Sequence, residues 1–306
     1  VRLHFKYLND SCLHFQNIIS LNNMPESPDI HFRYAIMLRM MGENLRALKE
    51  LEDILSKKSF PPNLTADDIN FQIAFTYQLN NESVKAKSIY STLYKLHPDT
   101  IQIVQQYCWF LSLFDDPQSL NEAEHLINIS GLNDPLLNFI KAQIAMKKDD
   151  MNTAYNSYCQ CISFWSDSPL FWCGLGVLYF KNDQSQDAIV AFQRALYLKG
   201  ELVEAWANLG LIFQLQHDHE SAMRIYDAAE LKCDNNQIIV ERKKALQMGR
   251  PVSQSMILEV NDSRYFQQVP EKVANQYLAD SPFIPPEQIG LPSSYNILSP
   301  NHISLF

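Results

Sequence analysis

The clearest candidate for chemistry in this chain is a short polar run near residue 218. His217 and His219 flank Asp218, and Glu220 follows, so imidazole and carboxylate groups of the kind that bind zinc stand close together. No second cluster supplies further ligands at a spacing that the sequence reveals. We therefore expect these residues to form a polar turn and predict no metal site.

The cysteines and the remaining chemical motifs give no sign of catalysis. The chain has six cysteines and no C-x-x-C pair, and Cys159 and Cys161 point in different directions if they lie on a helix. Free thiols in a reducing compartment fit this pattern. The sequence also lacks a glycine-rich phosphate loop and the G-x-S-x-G nucleophile motif. We expect no catalytic residue, no cofactor and no small-molecule substrate.

Charge and hydropathy argue against two further classes of ligand. The net charge is -9, whereas a sequence-independent phosphate binder needs a surplus of Lys and Arg. No apolar run approaches a membrane span, and the opening residues VRLHFKYLND lack the apolar core of a signal peptide. We expect no direct binding to nucleic acid and no insertion into a membrane.

A repeat in the second half of the chain indicates what the protein does instead. Two segments carry the same kinds of side chain in the same order, 34 residues apart: Trp172, Leu175, Gly176, Tyr179 and Ala188, then Trp206, Leu209, Gly210, Phe213 and Ala222. This period and order are the signature of the tetratricopeptide repeat (TPR), a helix–turn–helix unit. One unit cannot bury its apolar face alone, so units stack and present a long surface to another chain. The sequence predicts an all-α TPR superhelical solenoid that binds other proteins.

The repeat can be traced upstream and sets the predicted domains. We place six repeats, starting near residues 28, 67, 101, 135, 169 and 203, in a solenoid over 1–248 with a partial repeat over 1–27. Residues 236–248 read as an amphipathic capping helix whose charged residues, Arg242 among them, face solvent. The third repeat has 15 rather than 12 residues between Cys108 and Ala123, which we interpret as a longer turn around residues 114–117.

Residues 249–306 form a different kind of segment. They carry seven of the 15 prolines, which prevent continuous helix, and they are punctuated by apolar and aromatic side chains. Two interpretations stay open: the tail folds back onto the solenoid, or it carries short docking motifs for other proteins.

The repeat register also predicts a binding surface. The first helix of each TPR lines the inner face, and the positions that should point into it are mostly apolar, interspersed with neutral amides such as Asn208. An exposed apolar patch usually marks an interaction site, here for an amphipathic helix or an extended peptide. For any single residue of this set, the alternative is that it belongs to the core between repeats. The residues that we predict to line this groove are Phe32, Ile36, Phe71, Phe75, Trp109, Phe139, Val177, Phe180 and Leu211.

Two specialised TPR binding modes are not expected. Chaperone-tail TPRs grip a terminal carboxylate with Lys and Asn, but Phe32 and Ile36, or Phe139 and Gln143, stand at those positions here. The asparagine ladder of the sugar-transferase TPRs is not expected either, because Asn208 is nearly alone at its position.

One block resembles a particular TPR family. Residues 153–180, TAYNSYCQCISFWSDSPLFWCGLGVLYF, are similar to the TPR subunit of the fungal general transcriptional corepressor, the Cyc/Ssn type. They are more distantly similar to the TPR region of UTX histone demethylases. The specific marks are Pro169 before Phe171, Trp172 and Cys173, and the likeness continues through VEAWANLGLIF and CDNNQIIVERKKAL.

The resemblance implies a nuclear scaffold that joins a WD-repeat corepressor of the Tup type to DNA-binding repressors. The chain departs from that family in having fewer repeats and no long Gln-rich tract. The alternative is a TPR subunit of another assembly, such as a ubiquitin-ligase, ciliary-transport or chaperone-associated complex, with a cytoplasmic location. We do not expect an enzyme, because the tail is too short for a catalytic domain with its own core.

Overall fold

The structure, a computed structural model, describes residues 27–259. Within this range the chain forms 13 α-helices and no strand. The helices are α1 (Pro28–Met40), α2 (Asn44–Lys57), α3 (Ala66–Leu79), α4 (Ser83–Leu96), α5 (Ile101–Ser112), α6 (Pro117–Ser130), α7 (Pro135–Lys147), α8 (Met151–Phe164), α9 (Pro169–Lys181), α10 (Ser185–Leu198), α11 (Val203–Leu215), α12 (His219–Lys232) and α13 (Gln237–Gln247). A 3₁₀ turn, Gln254–Met256, comes after α13.

The helices divide into two compact units. The N-terminal unit covers the described residues up to Phe110, and the C-terminal unit begins at Leu111. In the first, α1 packs on α2, α2 on α3 and α3 on α4. In the second, each helix from α6 to α12 packs on the next helix of the chain. In addition, α9 contacts α11 and α11 contacts α13, so the first helices of the last repeats and the terminal helix lie side by side. The predicted all-α repeat architecture is confirmed.

Local sequence signals set where the helices begin. Proline occupies the first position of α1, α7 and α9, where its missing N–H removes no intrahelical bond. Before α7, the Asp134 carboxylate accepts the N–H groups of Leu136 and Leu137 at 2.9 and 3.0 Å. The first helices of the six repeats begin at 28, 66, 101, 135, 169 and 203, each within one residue of the start placed from the sequence.

The turn inside five of the repeats contains one residue in the left-handed region of backbone space. These residues are Gly42, Asn81, Asp149, Asp183 and His217, with φ between 58° and 84°. Glycine, asparagine and aspartate adopt this conformation at lower cost than other residues. The next N–H then closes the turn, as where Asp218 donates to the Phe213 carbonyl at 2.9 Å. This backbone requirement explains why polar residues recur there.

The two glycines of the repeat signature lie where paired helices touch. A Cβ on Gly176 would lie 2.7 Å from the Phe192 ring, and one on Gly210 would lie 2.4 Å from the Tyr226 ring. The predicted close approach of helices at these glycines is therefore present, and any larger side chain would have to displace a buried aromatic ring.

The signature tryptophans each bind the segment that precedes their helix. The indole N–H groups of Trp172 and Trp206 donate to the carbonyls of Ser166 and Gly200, both at 2.8 Å. In each bond the donor and the acceptor are six residues apart in sequence. The 34-residue period therefore extends to hydrogen bonds as well as to packing.

The third repeat differs from the prediction in where its extra residues lie. The turn between α5 and α6 covers only residues 113–116, and α6 begins earlier relative to Ala123 than the equivalent helices do relative to their alanines. The extra residues mainly lengthen α6 at its N-terminus, because Asp116 caps that helix by accepting the N–H of Ser119 at 2.8 Å.

Candidate functional site

The chain after α13 lies across the helices of the C-terminal unit. It turns at Gly249, whose φ is 62°, and residues 253–259, called the strap below, run back over α9, α11 and α13. Ile257 and Leu258 are half-buried, whereas the other strap residues are exposed. These residues thus lie on the C-terminal unit, as the first of the two open interpretations describes. The remaining tail residues, 260–306, and the predicted partial repeat lie outside the described range.

Asn208 on α11 binds the strap through its backbone. The Asn208 amide accepts the N–H of Leu258 at 2.7 Å and donates to the carbonyl of the same residue at 2.8 Å. Asn208 is fully buried, so both halves of its amide need a partner. A pair of bonds to the backbone of one residue holds an extended chain without regard to its side chain.

Arg242 on α13 binds the strap slightly earlier in its course. Its guanidinium donates to the Ala207 carbonyl at 2.9 Å and to the Met256 carbonyl, so it joins α13, α11 and the strap. Burial lowers the pKa of Arg242 from its usual value, although an arginine still carries its charge at neutral pH. The expectation that Arg242 faces solvent is wrong, because its acceptors are backbone carbonyls that the fold brings to α13.

Charged and polar side chains complete the contact at α9. Lys181 Nζ lies 2.5 Å from a carboxylate oxygen of Glu259, and Gln254 donates to the Asp183 carboxylate at 3.2 Å. An open cleft of about 480 Å³ lies beside these contacts. It is lined by Phe180, Lys181, Gln254, Ser255, Ile257 and Glu259.

Leu258 supplies the apolar part of the contact. It packs against a cluster that includes Ala207, Tyr226 and Ile239, next to Trp206. We define the strap site as the residues outside the strap that contact it or line the cleft beside it: Phe180, Lys181, Asp183, Ala207, Asn208 and Arg242.

The nine residues predicted to line an exposed groove are in fact buried. None is more than 4% exposed. Phe32 and Ile36 belong to a core cluster of the N-terminal unit, and Phe139 packs its ring against those of Tyr158 and Phe171.

The other predicted groove residues are buried in the same way: Phe71, Phe75, Trp109, Val177, Phe180 and Leu211. For these apolar side chains on the first helices, burial in the core between repeats is the alternative that the structure matches. Phe180 also lines the cleft beside the strap, and contact of the nine residues with a partner stays a prediction.

The repeat pattern does not single out Asn208, because this asparagine stands almost alone at its repeat position. One sequence feature could have indicated the site: a lone polar amide on the helix, together with the apolar run Met256, Ile257 and Leu258 in the Pro-rich tail. A single buried amide is sufficient to bind a peptide backbone when a segment of the chain can reach it.

The histidine run and the cysteines show no assembled site in the part of the chain that the structure describes. His217 is the left-handed turn residue before α12, and its ring centroid lies 6.4 Å from that of His219. Across residues 27–259, no three His, Cys, Asp or Glu side chains are grouped so as to hold a metal. Cys108, Cys159, Cys161, Cys173 and Cys233 are free thiols.

Comparison with known proteins identifies the architecture. A family model described as tetratricopeptide repeat matches residues 170–201. A tetratricopeptide repeat protein from Parabacteroides merdae is 17% identical with a TM-score of 0.60, over 80% of this chain and 94% of that one. The chain has a tetratricopeptide-repeat fold.

Two further solved structures have a similar fold. PilW, a type IV pilus biogenesis factor, is 17% identical with a TM-score of 0.57, over 71% of this chain and 99% of that one. The APC/C hetero-tetramer Cut9–Hcn1 matches with 17% identity and a TM-score of 0.55, over 78% of this chain and 46% of that one. These identities show a shared fold alone. In the described part of the chain, no helix has the length and apolar character needed to cross a bilayer.

Proposed function

We propose that this TPR chain is a protein-interaction scaffold that holds an extended segment of a partner in the strap site. The TPR fold itself implies a scaffold for protein partners. The observation that carries the proposal is the pair of hydrogen bonds between the Asn208 amide and the backbone of Leu258. With this geometry a helix surface can hold an extended peptide.

The rest of the strap site adds orientation and selectivity. The Arg242 guanidinium can donate only to an acceptor such as a carbonyl or an anion, and its bond to Met256 sets which way the peptide runs. Lys181 forms an ion pair with Glu259, the residue that follows Leu258, so the site favours an acidic side chain at that position of a bound peptide. Backbone bonds thus supply affinity while one charge and one apolar contact supply selectivity.

The finer proposal is a transcriptional corepressor subunit that bridges a WD-repeat corepressor and DNA-binding repressors in the nucleus. Its support is the resemblance of residues 153–180 to the Cyc/Ssn family. The likeness continues along the segments that form α11 and α13, the helices that carry Asn208 and Arg242. The partner would contribute an amphipathic or extended segment.

Crosslinking mass spectrometry on the complex from nuclear extract tests this proposal. We expect crosslinks between Lys181 or Lys244 of the tagged chain and a WD-repeat protein, and we expect Asn208→Ala to abolish them. Asn156→Ala, an exposed change on α8, is the matched control that should keep them. Crosslinks only to subunits of a ubiquitin ligase or a ciliary or chaperone assembly, with a cytoplasmic tagged protein, would establish the alternative instead.

A further inference from the structure

We propose that the strap is a built-in ligand that occupies the strap site in cis, and that a partner segment with an apolar residue followed by an acidic one replaces it. The inference rests on the proposed function, because it names the chemistry of the partner for the same site. The partner's apolar residue would take the place of Leu258 and its acid the place of Glu259.

The contacts of the strap are those of a bound peptide. Its polar contacts to the helices come from the backbone of Leu258, the carbonyl of Met256 and two side chains, Gln254 and Glu259. Only Ile257 and Leu258 are even half-buried within residues 253–259. A segment that belonged to the core would bury most of its side chains, whereas this one has few anchors and can leave without opening a helix pair.

The cleft beside the strap gives a partner something that the strap does not use. About 480 Å³ lies open next to Ile257, between the strap and the α9 residues Phe180 and Lys181. A partner with a larger side chain at the position of Ile257 can fill this space and gain contact area. The same peptide backbone then binds more tightly than the strap itself.

The chain that joins the strap to α13 acts as a tether, and its length determines how strongly the strap competes with a partner for the strap site. Leu258 is 11 residues from Gln247, the last residue of α13. A short flexible tether holds its end at a local concentration of ~1 mM, so a strap with an intrinsic dissociation constant of ~0.1 mM would fill the site ~90% of the time. A partner would then bind ~10-fold more weakly than to an empty site.

Fluorescence anisotropy on the full chain tests the inference. The probe is a labelled synthetic peptide with the sequence of residues 251–259, PVSQSMILE. Leu258→Asp in the chain removes the apolar anchor of the strap and leaves the strap site intact, so it should bind the probe ~10-fold more tightly than the natural chain. Adding Asn208→Ala to that variant should abolish binding.

A charge exchange tests the chemistry of the partner. On the Leu258→Asp chain, a probe with Lys in place of its final Glu should bind ~10-fold more weakly. Adding Lys181→Glu should reverse that preference. A probe with Phe at the position of Ile257 should bind the Leu258→Asp chain more tightly than the natural sequence does.

Matched controls separate the possible failures. Leu231→Asp changes a leucine that is 85% exposed on α12 and should leave probe binding as in the natural chain. Glu259→Lys loosens the strap by a second route, and thermal unfolding shows that each variant is folded. Equal binding by the natural chain and both strap variants would overturn the cis-ligand inference while leaving a peptide-binding site.

Absence of binding by folded strap variants would overturn both the inference and the role of the strap site in the proposed function. A natural chain that dimerises with increasing concentration, with Leu258→Asp monomeric, would show that the strap binds a second copy and would overturn the assignment in cis.

Discussion

Gln72 in the N-terminal unit and Asn208 in the C-terminal unit occupy the same position, the sixth of their repeats, yet their amides have different partners. Gln72 accepts a bond of 2.7 Å from the Arg39 guanidinium, which comes from the preceding repeat. Asn208 instead binds both the N–H and the carbonyl of Leu258. The amide serves internal structure in one unit and holds an extended segment in the other.

The difference follows from the neighbouring repeats. In the N-terminal unit the sixth position of the next repeat is Gln106, which donates to Gln78 at 3.0 Å. The partners Arg39 and Gln78 both stand at the twelfth position of the preceding repeat, whereas Phe180 stands at that position before Asn208 and offers no polar side chain. Because a buried amide requires hydrogen-bond partners, Asn208 binds the backbone of the segment that lies over α11, at Leu258.

Another position shows what the two units share. Tyr90 donates to Gln78 at 3.1 Å, and Tyr226 donates to Gln214 at 2.7 Å, with the residues in equivalent places of their repeats. This bond joins the two helices of one repeat in both units. The units therefore differ where successive repeats meet and agree within a repeat.

The largest expected loss of stability comes from the fourth position of a repeat, and it should differ between the two units. Trp206→Ala removes an indole that packs on the apolar cluster under the strap and donates to Gly200. We expect a loss of about 3–5 kcal/mol in the free energy of unfolding. Asn70 stands at that position in the N-terminal unit, and Asn70→Ala should change it by less than about 0.5 kcal/mol. Urea unfolding followed by circular dichroism compares the two, and equal losses would contradict the assigned register.

The next effect tests the internal role of Gln72. Gln72→Leu removes an acceptor of the buried Arg39 guanidinium, whose side chain also lies 4.9 Å from the Phe75 ring centre. We expect a loss of about 2 kcal/mol, measured by urea unfolding, because a buried charge is left with fewer hydrogen bonds. Replacing both partners, by Arg39→Met with Gln72→Leu, should recover most of that loss. If the double variant had a lower free energy of unfolding than either single variant, the Arg39–Gln72 pair itself would be strongly stabilising.

The fold was largely predictable because its signals are local. Small residues at the helix contacts, such as Gly210, and turn residues, such as Asp183, are required by packing and backbone conformation at their own positions. They recur with the period, and the helix starts recur with them. The sequence left open whether Phe75 and its equivalents line a groove or lie in the core between repeats, because the repeat pattern does not say what covers an apolar face.

The site was less predictable because its partners are distant in the chain. Asn208 and Leu258 are 50 residues apart, and the acceptors of Arg242 are backbone carbonyls, which carry no side-chain signal. If α13 is considered alone, the charged neighbours Glu241, Lys243 and Lys244 suggest that Arg242 faces solvent. Only the arrangement of α11 and α13 shows that Arg242 points inward.

A smaller effect is expected for Asn208, and it sharpens the contrast with Gln72. Asn208→Leu removes both bonds to the strap but leaves no buried charge behind, so we expect at most about 1 kcal/mol of destabilisation. Hydrogen exchange at the Leu258 amide should instead quicken up to ~10-fold, because the strap then no longer protects it. Asn156→Leu on α8 is the matched change that should leave that amide protected. An unchanged exchange rate in Asn208→Leu would mean that the strap is held by other contacts.

The smallest expected effect appears at alkaline pH and belongs to the N-terminal unit. Tyr77 donates to the Glu52 carboxylate at 2.6 Å, and this bond, together with burial, raises the pKa of Tyr77 from 10.0 to about 12. The folded state thus keeps the proton more firmly than the unfolded state. The stability that Tyr77 contributes is complete below about pH 10 and is lost as the pH rises towards about 12. Because the phenol is partly exposed, the loss should stay below about 1 kcal/mol.

Phe213 stands at the equivalent position of the C-terminal unit and has no hydroxyl, so this position gives that unit no alkaline sensitivity. Hydrogen exchange at about pH 9 and at about pH 11 should therefore show α3 loosening more than α11 after correction for intrinsic rates. Tyr77→Phe should remove the difference at the cost of one partly exposed hydrogen bond. If α3 still loosened in Tyr77→Phe, another group of the N-terminal unit would be responsible, and the tyrosine would not distinguish the two units.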